Sequence, residues 1–145
     1  MNLLKDQFIG AWKLQEWLIE YPNDTIRHPF GADASGQLLY CNDGQMSATI
    51  MASKRLASGH SSARELSESL KVQAFDSYFH YAGNWTIESD MVVHKVSFSL
   101  NSDFVGTTQC RKAKFLKKDQ LTLTAEETVA QRGSRMHILR WLKSP

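Results

Sequence analysis

Long apolar runs are what this 145-residue chain has least of. Lys5 and Asp6 interrupt the opening "MNLLKDQFIGAW", so it lacks the apolar core of a signal peptide. No stretch approaches the roughly 20 apolar residues of a membrane-crossing helix. Cysteine is equally sparse: Cys41 and Cys110 stand far apart, without metal-ligand spacing. These absences predict a cytoplasmic protein without membrane contact, its two thiols reduced and buried on strands. Charge of one sign is also missing, since 17 Lys and Arg face 15 Asp and Glu. The densest basic stretch, "RKAKFLKK" (111–118), alternates as a strand with one solvated face would, which argues against a nucleic-acid partner.

Reaction signatures are absent too. There is no Gly-rich phosphate loop, no Gly-x-Ser-x-Gly elbow and no His-Glu-x-x-His helix. The histidines, at 28, 60, 80, 94 and 137, form no short metal-binding motif, and neither metal nor cofactor is expected. A chain of this length and ordinary composition is read as one domain, 1–145, with a sizeable core.

What is present is strand signal. "AWKLQEWLIEY" (11–21) is rich in aromatic and aliphatic residues and stops at "YPND". "QLLYC" and "QMSATIM" flank Asn42-Asp43-Gly44, a strong hairpin corner. Further β segments are "YAGNWTIE" (81–88), "MVVHKVSFSL" (91–100), "VGTTQCRKAKFL" (105–116), "QLTLTAE" (120–126) and "RMHILRWL" (135–142). Only 62–78 departs from this pattern. Leu66, Leu70 and Phe75 stand near helical spacing behind Ser61 or Ser62 as a cap, which predicts one helix acting as a lid or plug. Eight strands in hairpin succession predict an all-β fold: a closed antiparallel up-and-down barrel, because closure removes exposed sheet edges.

With the segments in order, the chain resembles the lipocalin-like domain family. The resemblance rests on "GAW" (10–12), "PFGADASGQLLYCNDGQMSA" (29–48), "YAGNWTI" (81–87) and "VGTTQCR" (105–111). It implies a small barrel with an interior cavity and no particular reaction. It also implies that Trp12 plugs one end under an arginine of the last strand, Arg135 or Arg140.

Alternation suggests which side chains face inward. Tyr40, Met46, Tyr81, Trp85, His94, Phe98, Gln109 and Arg111 are the candidate ligand-binding residues, with Glu16 and His137 as further polar points. Apolar walls with a few placed polar groups suit a small, largely apolar ligand. The planar donors of Arg111 suit a carboxylate, enolate or phenolate; alternatively Arg111 pairs with Glu16 or another internal acid and only organises the barrel. His94 is the candidate acid–base group if the barrel is instead a cyclase, isomerase or hydratase. A third possibility is haem ligation by His94 or His137.

Overall fold

The computed structural model describes residues 2–55 and 57–145. A one-turn helix, α1 (Lys5–Phe8), leads into β1 (Gly10–Glu20) and a two-residue strand, β2 (Ile26–Arg27). The hairpin β3 (Ser35–Tyr40) and β4 (Gln45–Met51) follows, then α2 (Glu68–Asp76). The rest is β5 (Tyr78–Glu88), β6 (Met91–Ser99), β7 (Thr108–Lys117), β8 (Gln120–Val129) and β9 (Gly133–Lys143). Every neighbouring pair is antiparallel, and β9 returns to pair with β1, closing eight strands into a barrel. The extra strand, β2, hangs on the end of β1. Alternation accounts for the strands: Met46, Ala48 and Ile50 are buried while their neighbours are more exposed, and β3 pairs with β4 around the Asn42-Asp43-Gly44 corner.

Of three slips in register, one of them between Phe115 and Lys117 on β7, two reset the alternation beside the cavity. On β1 the register against β9 slips between Leu14 and Glu16, so Trp12 and Leu14 point inward and then Trp17 does. Glu16 is thereby paired with Arg140 on the outer face and also bonds His28. On β6 the register against β5 slips at Gly83: Ala82 faces Phe98, and Gly83 faces Val96. Val92, His94 and Val96 are buried as expected, but Phe98 is 69% exposed and does not line the interior. A Cβ on Gly83 would lie 1.9 Å from the Lys95 carbonyl oxygen. Only glycine allows the two strands to approach so closely at the bulge.

One end of the barrel is plugged, and α1 does the plugging. Phe8 is fully buried, with its ring 5.6 Å from Tyr40, 5.7 Å from Trp85 and 5.0 Å from Phe115. Trp12 donates its indole N–H to the Phe8 carbonyl at 2.8 Å. The Asn42-Asp43-Gly44 corner belongs to this closed end, since Trp85 donates to the Cys41 carbonyl and Lys5 to that of Asn42. The cation over Trp12 is Lys143, its Nζ 5.4 Å from the ring centroid, and not an arginine. Arg135 lies over Tyr21 instead, and Arg140 binds Glu16. Gly10 has φ of +130°, and a Cβ there would meet Lys143 Cε at 3.1 Å.

The predicted helix divides. Ser62 caps a 3-10 turn, Ala63–Glu65, and Ser67 caps α2, which buries no side chain. No residue of α2 lines the interior cavity, so α2 is neither its plug nor its wall. The two cysteines are exposed, Cys110 because it alternates with the inward Gln109 and Arg111. No helix of the described residues is long and apolar enough to cross a membrane.

Candidate functional site

Above the plug, the barrel encloses a cavity of about 500 Å³, within the size range of small-molecule sites. Its walls are mainly apolar: Leu38, Ala48 and Ile50 on β3 and β4, and Leu123, Leu139 and Trp141 on β8 and β9. Phe79 and Phe104 form another side, their rings 6.2 Å apart in an edge-to-face arrangement. Polar groups come from Tyr81, His94, Gln109 and Arg111, with Glu126, Glu127 and His137 on β8 and β9.

His94 is the one buried polar or charged residue of the core among the described residues, at 1% exposure. Both of its ring nitrogens are engaged by tyrosine hydroxyls. Tyr40 Oη lies 2.6 Å from Nε2, and Tyr81 Oη lies 2.6 Å from Nδ1. Three strands supply this chain, β3, β5 and β6, with β4 between the first two. Burial, reinforced by the Arg111 charge, lowers the His94 pKa to about 3, so the ring is neutral near pH 7. The same burial raises both tyrosine pKa values, and both hydroxyls keep their protons.

Arg111 is half-buried on β7 and lines the cavity. Its side chain donates to the Cys110 carbonyl at 3.0 Å, and it makes no salt bridge among the described residues. The expected partner, Glu16, is occupied on the outer face by Arg140 and His28. Gln109 donates its amide N–H to Thr107 Oγ1 at 2.9 Å. His137 accepts from the Trp17 indole N–H at Nδ1 and approaches Glu127 Oε1 through Nε2, each at 3.2 Å. Both ring nitrogens of each cavity histidine are thus hydrogen-bonded within the protein.

The eight candidate residues divide by depth. Tyr81, His94, Gln109 and Arg111 line the cavity; Tyr40 stands behind His94, and Met46 and Trp85 are buried without lining it. Phe98 leaves the set at the β6 bulge. Trp17, Phe79 and Phe104, and Leu123, Ala125, Glu126 and Glu127 on β8, line the cavity without having been among the inward-facing candidates. Trp17 was hidden by the β1 bulge, and Phe79 by a strand that begins three residues earlier than its composition suggests. Phe104 sits in a 3-10 turn, Ser102–Phe104, which carries no periodic signal.

Among curated proteins none matches the chain. A solved structure of a redesigned β-barrel resembles it over 100% of this chain and 98% of that one, at 9% identity and a TM-score of 0.47. The model of the lipocalin-like domain matches residues 9–144, nearly the whole sequence, and the chain belongs to that family.

Proposed function

We propose that the barrel binds a small, largely apolar molecule, its polar end against Arg111 with Tyr81 and Gln109 alongside. The observation that carries this reading is Arg111 itself: a cation in the cavity wall without a carboxylate partner among the described residues. Arg111 is only half-buried, so its planar donors stay free for an incoming oxyanion, which they suit geometrically. The apolar walls supply most of the affinity, and the few polar groups supply orientation. In this reading the partner is a small molecule, the location is cytoplasmic, and neither nucleic acid nor membrane has a part. A cyclase, isomerase or hydratase built on the same cavity would act through Tyr81, because both His94 nitrogens are already bonded.

The test is native mass spectrometry after incubation with a small-molecule metabolite extract. The wild type is compared with Ala48→Trp, which fills the cavity, and with Arg111→Ala. Wild type takes up a non-covalent adduct that Ala48→Trp does not, and Arg111→Ala takes up less. No uptake by wild type, or equal uptake by Ala48→Trp, overturns the reading. Equal uptake by Arg111→Ala removes Arg111 from the site.

A further inference from the structure

The hydrogen-bond chain Tyr40–His94–Tyr81 has a direction, and the surroundings of its two ends set it. A neutral imidazole carries one N–H and one lone pair, so one tyrosine donates to His94 and the other accepts from it. Tyr40 is 1% exposed, and among the described residues its hydroxyl bonds only to His94. Its neighbours on the plug side are the rings of Phe8 and Trp85. If Tyr40 accepted from Nε2–H, its own proton would lie buried with no acceptor, a costly arrangement. Tyr81 differs, because it lines the cavity, where water or a ligand can take its proton. The favourable arrangement has Tyr40 donating to Nε2, Nδ1–H donating to Tyr81 Oη, and the Tyr81 proton left over for the cavity.

Two further donors belong to the same cavity. Arg111 has no carboxylate partner among the described residues, and its charge is felt at both tyrosines and at His94. Trp141 has a buried indole N–H without a partner among the described residues, and its side chain also lines the cavity. We infer that Tyr40 holds His94 as its Nδ1–H tautomer, which makes Tyr81 a hydrogen-bond donor into the cavity. Tyr81 and Arg111 together then select ligands that end in a planar organic oxyanion, as a carboxylate or enolate does. This rests on the container reading above and narrows its oxyanion to a planar organic one. Tyr81 and Arg111 touch the ligand; Tyr40 and His94 are positioning residues.

Two measurements test it. The first is nitrogen NMR of the wild-type protein with labelled histidine, which reports the protonated nitrogen of His94 without any ligand. The inference requires the proton on Nδ1; a proton on Nε2 overturns it and leaves the container reading intact. The second is titration with 2-naphthoate and with 2-acetonaphthone, its neutral ketone counterpart. Wild type prefers the carboxylate, and Tyr81→Phe or Arg111→Gln reduces that preference by about tenfold. Tyr40→Phe releases the tautomer and reduces it several-fold, although the lost hydroxyl never touches the probe. An unchanged preference in Tyr81→Phe overturns the inference. A wild-type barrel that takes neither probe overturns the container reading, and with it the oxyanion preference, whatever the tautomer.

Discussion

His94 can gain a proton only by exchanging a bond to a tyrosine for a buried charge beside Arg111. Its pKa of about 3 lies below the ordinary imidazole value, which the unfolded chain would show. Between those two values the unfolded state binds the extra proton. The His94 contribution to stability is therefore fully present above the ordinary value and is lost progressively as pH falls toward about 3. Each unit of that descent costs up to about 1.4 kcal/mol. Urea unfolding from about pH 7.5 to about pH 5 should show wild type losing stability faster than His94→Gln, which has no such proton to gain. Parallel declines in the two proteins would mean that His94 titrates normally.

The residue scale also shows how far a linear sequence carries. Tyr40, Tyr81 and His94 were each recognisable as inward-facing, because each stands in an alternating strand. Their mutual bonds were not, since they depend on register across four neighbouring strands. Arg111 was legible for a simpler reason: Lys112 and Lys114 beside it had to face solvent. Its freedom from Glu16 was not, because one bulged residue on β1 moved that carboxylate to the outer face.

Among the elements, the hairpin strands were the most legible and the two short helices the least. α1 has four residues, too few for a periodic signal, yet it carries the fully buried plug. The segment 62–78 had such a signal, but Val72 and Phe75 lie at least half exposed on α2. Packing decides between them. Phe8→Ala should lower stability by about 3–5 kcal/mol in urea unfolding, while Phe75→Ala should change it by less than about 0.5 kcal/mol. Similar losses in the two variants would contradict the assignment of α1 as the plug. α2 should also exchange its amide hydrogens faster than the barrel strands do, having no buried side chain to hold it. Protection equal to that of β5 and β6 would show that α2 is anchored in a way its exposure does not reveal. Bulges were the hardest feature to anticipate, although Gly83 within "YAGNW" marked the place of one.

Along the barrel axis the whole molecule divides into a plugged end and a cavity. The end that carries the Asn42-Asp43-Gly44 corner is filled by Phe8, Trp12, Trp85 and Phe115 and serves stability. Beyond His94 lies the cavity, bounded by Trp17, Phe79, Phe104 and Trp141, where a guest can sit. The four tryptophans divide between these regions, Trp12 and Trp85 in the plug and Trp17 and Trp141 at the cavity. That division makes binding in the cavity directly measurable. The protein, labelled with 5-fluorotryptophan and assigned by single Trp→Phe variants, is titrated with 2-naphthoate and followed by fluorine NMR. The Trp17 and Trp141 resonances should move and saturate together while Trp12 and Trp85 stay in place. No movement at either cavity tryptophan, or movement confined to the plug pair, would contradict a barrel that holds its ligand between Tyr81 and Arg111.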